Sequence, residues 1–404
     1  MTVSMPEARH TVGRTEFVFM MATLMSVVAF SIDAVLPALG LIGTDLHVTN
    51  VNHTQFILGF LFGGMAIGQL VNGPLSDAWG RRKILFINLG IYMVGSLICL
   101  VAQNIETMLI GRLVQGFGIS GPYISVVSIV RDQFYGRHMA KIMSLVMMIF
   151  IMVPVFAPAI GQGVLLFFSW RAIFIMYLIY GTLVGLWVAF RLKETLPPDA
   201  RVPYKISNLV RGVKTVYTNK TTLSYTLALG CVYGALQGNL NSIQQIFHDK
   251  YHVGSMFAVY FGLQALSIGI SSFLNSQMVM RMGMHRLSLT ASGMIVILSL
   301  LFLIISSFIG TPFALYFTYG FFLLLCFGFL FGNLNALAME PMGHIAGLAS
   351  AIIGATSSLI GITGGTIIGQ HYEGSLTPVV LGFLILGSIA WVIIFSERTT
   401  AKEK

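Results

Sequence analysis

Apolar residues in this chain neither alternate with polar ones nor keep to one face of a helix. They come in nearly continuous runs of about 20 residues separated by short polar intervals. At about 1.5 Å of rise per residue, such a run crosses the hydrocarbon of a bilayer as a helix. Twelve runs are found, over about 17–43, 54–75, 83–102, 107–131, 139–167, 170–191, 221–247, 256–280, 286–308, 312–338, 345–370 and 376–396. Segments of roughly ten alternating residues, the mark of a membrane β-barrel, are missing. The longest polar interval, 192–220, is rich in Lys and Arg, contains Pro197, Pro198 and Pro203, and divides the spans six and six. The expected fold is an all-α membrane protein with 12 transmembrane helices in two pseudo-symmetric six-helix bundles. The expected divisions are 1–191, a linker over 192–220, and 221–404.

Composition supports the bilayer as solvent. Hydrophobic residues make up 56% of the chain, charged residues only 9%, and the mean hydropathy is +0.85. A soluble domain carries about 25% charged residues. The formal charge of +9 would suit a nucleic-acid partner, but its placement excludes one. With the N-terminus in the cytoplasm, twenty of the 23 Lys and Arg fall in cytoplasmic segments, against Arg171 and Lys250 outside and Arg112 within a span. That asymmetry predicts both termini in the cytoplasm. The first 16 residues are polar, and the run that follows is too long for a signal peptide, so it is expected to be retained as the first span. Cys99, Cys231 and Cys326 are scattered through apolar runs and form no redox or metal motif, and no cofactor is expected.

The halves carry traces of duplication. Shifted by 203 positions, NGPLSDAWGRRK (72–83) lies over NSQMVMRMGMHR (275–286). Asn72 then meets Asn275, Gly80 meets Gly283 and Lys83 meets Arg286, while Asp77 meets Met280. At a nearby offset GPYISVVS (121–128) lies over GNLNALAM (332–339). In folds built from such repeats the substrate site lies between the halves near the bilayer midplane.

The loop between spans 2 and 3, GPLSDAWGRRK (73–83), concentrates charge in an otherwise apolar chain. Topology alone accounts for Arg81, Arg82 and Lys83, and a short turn needs Gly80, but neither accounts for Asp77. The stretch resembles the G-x-x-x-D-x-x-G-R-R-K signature of the major facilitator superfamily, and with twelve spans and a six-plus-six split the resemblance covers the whole chain. It implies a cytoplasmic gate of Gly73, Asp77, Gly80, Arg81 and Arg131. In it Asp77 would latch the halves through Arg131 and the N-terminus of span 11 near Gly343, where the helix dipole favours an anion. The sequence departs from the family at Ala78, where a cation is usual.

Two residues are firmly ionisable within the spans, Asp33 in span 1 and Arg112 in span 4. Each costs at least about 2.5–3.5 kcal/mol at the bilayer centre. Both sit roughly 8–12 Å below the outer surface and so could meet directly or through water. Either they form a structural ion pair or they couple protons, because the proton occupancy of such an acid depends on how dry its surroundings are and how near a cation stands.

The residues around them add a narrower resemblance. SIDAVLPAL (31–39), GRLVQGFGISG (111–121) and VPVFAPAIGQG (153–163) resemble elements of the drug:proton antiporters, especially the bicyclomycin- and chloramphenicol-resistance subgroup. SWRAIF (169–174), ETLPP (194–198) and MEPMGHIAGLASA (339–351) resemble later elements of the same subgroup. The resemblance implies proton transfer involving Arg112. It also implies a Gly/Pro-rich span 5, with Pro154, Pro158, Gly161 and Gly163, packed against the other half; here Gln162 interrupts the usual glycine pair.

Candidate cargo contacts are Gln115 and Tyr123 on span 4, Asn239 and Asn241 on span 7, Gln264 on span 8 and Asn335 on span 10; superposing span 7 on span 1 brings Asn239 near the place of Asp33. Structural amide ties between helices are the competing reading for each. The 22 Met and 30 Phe would suit an adaptable cavity, although most must face lipid or core. The function expected is a proton-coupled antiporter exporting small amphipathic or drug-like compounds, monomeric and in a bacterial inner membrane. The alternative is a dedicated carrier for one metabolite or siderophore, exporting or importing. A membrane-embedded enzyme would need a cluster of acids or metal ligands that one Asp and one Arg do not supply, and an ATP-driven pump would need a G-x-x-x-x-G-K-[ST] loop.

Overall fold

A computed structural model describes residues 13–134, 136–201 and 206–402; Arg9, Pro203, Lys205 and Lys404 lie outside them. Twelve long helices run back and forth. The first six are α1 (Arg14–Asp33), which continues through a short turn into α2 (Leu39–Asp45), then α3 (Phe56–Trp79), α4 (Arg81–Leu100), α5 (Ile105–Gln133), α6 (Gly136–Leu165) and α7 (Arg171–Arg191). A short helix α8 (Ile206–Thr218) follows in the expected linker. The second six are α9 (Lys220–Gln245), α10 (Phe257–Met282), α11 (Met284–Ile309), α12 (Phe313–Met339), α13 (Ala346–Gln370) and α14 (Thr377–Lys402).

Among the described residues, ten helical stretches are long and apolar enough to cross a membrane, and Met152–Leu165 of α6 is a shorter apolar piece. Helix α9 falls short because its C-terminal half carries Gln237, Asn239, Asn241, Ser242, Gln244 and Gln245, all buried. It is tolerated because α12, α13 and α14 surround it, so its polar side chains face protein.

The bundles are held by close backbone approach, as helices in lipid must be where apolar burial supplies little net attraction. A Cβ on Gly116 of α5 would strike the Leu61 carbonyl of α3, and one on Gly118 would strike the backbone of Tyr92 on α4. In the second half, one on Gly328 of α12 would strike Ser271 of α10.

Residue-level symmetry supports the duplication. Asn72 of α3 donates to Asn88 at 2.8 Å and to Ser120 of α5 at 2.7 Å. Its counterpart Asn275 of α10 exchanges bonds of 3.3 and 2.7 Å with Asn333 of α12. Gly80 and Gly283 both have positive φ, +99° and +79°, with ψ of 153° and 154°. Gly80 N donates to Ser76 O at 3.2 Å and Gly283 N to Val279 O at 2.8 Å, the same bond displaced by 203 residues.

The halves meet through two helix pairs, α3 with α13 and α6 with α10. At the end opposite the Arg81 loop, a clasp of amides joins them. Asn52 Nδ2 donates to the carbonyls of Gln370 and Tyr372 at 3.2 and 3.0 Å, and Gln370 Nε2 returns a bond to Asn52 O at 2.7 Å. Gln55 Nε2 donates to Gln245 Oε1 at 2.8 Å and to Gly369 O at 3.1 Å, and Gln245 Nε2 donates to Asn52 Oδ1 at 3.1 Å. The expected linker is more than a tether: α8 lies on α13, with Gly212 against Leu348 and Tyr217 Oη 2.6 Å from Thr356 Oγ1.

Candidate functional site

Helix α1 stops at Asp33 for a local reason. Pro37 lacks the N–H that would bond the Asp33 carbonyl, so the chain passes into a 3-10 turn over Leu36–Ala38 before α2 begins. Carbonyls near such a break need other donors. Arg112 of α5 supplies one: its Nη2 donates to Ser31 O at 3.1 Å, its Nε to Ile57 O at 3.1 Å and its Nη1 to Gln115 Oε1 at 2.6 Å. Tyr177 Oη donates to Phe30 O and Ser31 O at 3.3 and 3.4 Å. Gln115 in turn donates to Ser96 Oγ at 2.8 Å, and Ser31 Oγ to Tyr92 Oη at 3.1 Å.

Arg112 is 0% exposed, and among the described residues no carboxylate bonds its guanidinium. Among the described residues the carboxyl of Asp33, 4% exposed and two residues beyond the Ser31 carbonyl, makes no hydrogen bond or ion pair. The direct Asp33–Arg112 pair allowed by their matching depths is not formed among the described residues; three of the five guanidinium N–H groups go to neutral oxygens instead. The site holds an enclosed cation and, on the helix whose Ser31 carbonyl it bonds, an enclosed acid with no direct bond to it. Depth along a helix was legible in sequence; the competing acceptors Ser31 O and Ile57 O were not, being backbone atoms.

Of the residues expected on the proline-rich span, Gly161 packs against its own half. A Cβ there would meet the carbonyl of Ala34, the residue after Asp33, whereas one on Gly163 would meet nothing within 4 Å. Pro158 is buried and Pro154 half-buried. The close approach to the other half comes from Gly262 of α10, whose added Cβ would lie 3.0 Å from Val155 O. Span 5 does pack against the other half, through α6 and α10, and the glycine of closest approach at that crossing belongs to α10.

The cargo candidates divide. Gln115 is committed to the Arg112 network. Tyr123 is half-buried within electrostatic reach of Tyr233 on α9, whose ring lies 4.8 Å from that of Phe331. Asn239 Nδ2, Asn241 Oδ1 and Gln264 Oε1 are buried without partners, as is Gln237 Nε2, which the sequence reading passed over. The remaining amide groups of Asn241 and Gln264 bond Gly365 O and Phe317 O, each at 3.2 Å. Asn335 is exposed and makes no such contact; its neighbour Asn333 is the buried one.

The residues expected at a cytoplasmic gate assemble around Arg81 rather than Asp77. Arg81 Nη1 bonds Asp77 at 2.6 Å and its Nε bonds Asp132 at 2.9 Å. Glu194, beyond α7, accepts from the backbone N–H of Arg81 and Arg82 at 3.0 and 3.2 Å, capping α4. The expected Asp77–Arg131 pair is absent: Asp77 is held within its own turn, and Arg131 instead reaches toward Gly347 at the start of α13, 3.2 Å from where a Cβ would be. Gly73 faces Ala351 of α13. Asp132 and Glu194 went unassigned in the sequence because neither falls inside a loop 2–3 pattern. No three His, Cys, Asp or Glu among the described residues stand close enough to hold a metal ion.

Two six-helix bundles with polar groups buried between them form the architecture of a membrane carrier. The chain belongs to the Major Facilitator Superfamily, whose family model matches residues 20–365. It is 32% identical to the MFS-type transporter YdgK of Bacillus subtilis over 95% of this chain and 96% of that one. It is 28% identical to a bicyclomycin resistance protein homolog of Haemophilus influenzae over 96% and 98%. A D-xylose–proton symporter shares the fold at a TM-score of 0.74 and 13% identity, over 95% of this chain and 97% of that one. The protein is a multi-pass membrane transporter and not an enzyme.

Proposed function

We propose that this transporter exports small amphipathic compounds in exchange for protons entering the cell, from a bacterial inner membrane with both termini cytoplasmic. The observation that carries the reading is Asp33: an enclosed carboxyl at a helix break with no partner among the described residues, on the helix whose Ser31 carbonyl Arg112 bonds. A free carboxyl in that setting can gain or lose a proton without first breaking a hydrogen bond, and the Arg112 charge nearby tunes the exchange. Cargo or water entering between the halves alters the surroundings of Asp33, and rocking of the bundles exposes it to one side and then the other. The similarity to a bicyclomycin resistance protein homolog supports drug-like cargo. The experiment is transport in proteoliposomes under an imposed pH gradient. Asp33→Asn should abolish gradient-driven flux while ligand binding persists, and undiminished proton-coupled flux in that variant would sink the reading.

A second reading, a dedicated carrier for one polar metabolite or siderophore, is favoured by the unpartnered amides Gln237, Asn239, Asn241 and Gln264. Buried amides without partners select strongly for a ligand that satisfies them. A thermal-shift screen of the purified protein against drug and siderophore panels separates the two, since a single strong polar ligand would favour the dedicated carrier.

A further inference from the structure

At the basic end, away from the space between the halves, a surface groove opens where α3, α4 and α7 meet the segment after α7. Trp79, Arg82, Lys83, Phe86, Glu194 and Arg201 line it. The three cations take part in no ion pair among the described residues. The one lining carboxylate leaves two positive charges uncompensated, and Glu194 spends its hydrogen bonds on four backbone N–H groups, of Arg81, Arg82, Thr195 and Leu196. Arg82 Nε is buried with no acceptor, although its Nη2 donates to Ala189 O at 2.8 Å. The aromatic rings hold the cations in place: Lys83 Nζ stands 5.2 Å over Trp79 and the Arg82 guanidinium 5.4 Å over Phe86.

Positive-inside topology accounts for the number of cations here but not for their arrangement in a groove around an unused donor. The surroundings indicate what fills it. Trp79 is 47% exposed at the helix end, where tryptophans sit at the lipid headgroup level. Below the groove, Ile87 of α4 and Leu186 and Phe190 of α7 turn apolar side chains outward, Phe190 with 83% of its surface exposed. A ligand with an anionic head and apolar tails matches both parts, and basic pockets beside membrane helices take such headgroups. We infer that this groove is a binding site for an anionic phospholipid, its phosphate held by Arg82, Lys83 and Arg201 and its acyl chains lying on α4 and α7.

The test compares apparent affinity for phosphatidylglycerol, added to full-length protein in phosphatidylcholine nanodiscs, between the native protein and Lys83→Ala/Arg201→Ala. The expected loss is roughly thirtyfold, corresponding to about 1 kcal/mol per cation. A matched variant, Arg281→Ala/Arg286→Ala, removes the same charge from exposed positions on the equivalent turn of the other half and should keep native affinity. Thermal unfolding in detergent with inorganic phosphate alone distinguishes a soluble anion from a lipid, and no stabilisation is expected. Equal losses in both double variants, no loss in the groove variant, or full stabilisation by phosphate alone would each overturn the inference.

Discussion

Arg112 donates to the carbonyl of Ser31, two residues before Asp33, yet Arg112 and Asp33 make opposite demands on the protein. Arg112 holds three buried oxygens from three different stretches of chain, so its removal leaves Gln115 Oε1 without a donor and takes one donor each from Ser31 O and Ile57 O. A stranded buried acceptor costs about 1–3 kcal/mol and the lost bonds add to it, offset in part by release of the guanidinium from its own desolvation. Arg112→Ala should therefore lower stability by about 2–4 kcal/mol, measured as a fall in Tm in detergent. Asp33 makes no bond that a neutral isostere would break, so Asp33→Asn should shift stability by no more than about 0.5 kcal/mol. A reversed order, with the Asp33 variant unstable and the Arg112 variant stable, would contradict this division of labour. The sequence showed that both residues are costly and equally deep. It could not show that only one of them is structurally employed.

Among the helices, α6 offers a matched pair of glycines two residues apart. Gly161 lies against the Ala34 carbonyl in the turn after Asp33, and Gly163 faces open space. Gly161→Ala should destabilise by about 1–3 kcal/mol, the usual cost of overpacking, and slow transport because it displaces the turn bearing Asp33. Gly163→Ala should leave both nearly unchanged, and comparing Tm and initial flux in the two variants checks this. Span positions and the duplication were readable from run lengths and the 203-residue shift, because the bilayer sets helix length and the turns repeat. The partners of Asp77 and of the span 5 glycines were not. Asp132 lies 51 residues from Arg81, and Glu194 lies 113 residues from it, and no local pattern announces a contact across that distance. Helix α9 was also legible as the run 221–247, but its amides leave it less apolar than the other spans, and its neighbours α12, α13 and α14 explain why it is stable there.

At the scale of the molecule, the two halves are tied at one end by uncharged groups, Asn52, Gln55, Gln245 and Gln370 with the carbonyls of residues 369–372. Gln55→Ala/Gln245→Ala removes three of the six bonds of this clasp and should shift the population toward opening at that end. A cysteine placed at Thr366, which faces Gly59 across the α3–α13 contact, should then react with a water-soluble maleimide several-fold faster. The native cysteines are buried and contribute little background. Since no side chain of the clasp titrates near neutrality, the acceleration should be the same across neutral pH, and a strongly pH-dependent gain would show that another group governs this end.

The turns at Gly80 and Gly283 have nearly identical backbone geometry, but one is surrounded by Asp77, Arg81 and Asp132, while the other has Met280 at the place of the acid, 88% exposed. The same bend occurs in both copies and the charged cluster in only one. Shape and fastening are therefore separable in this protein: the bend resides in a backbone angle that only glycine adopts cheaply, and it forms equally well with the ion pairs around it or without them.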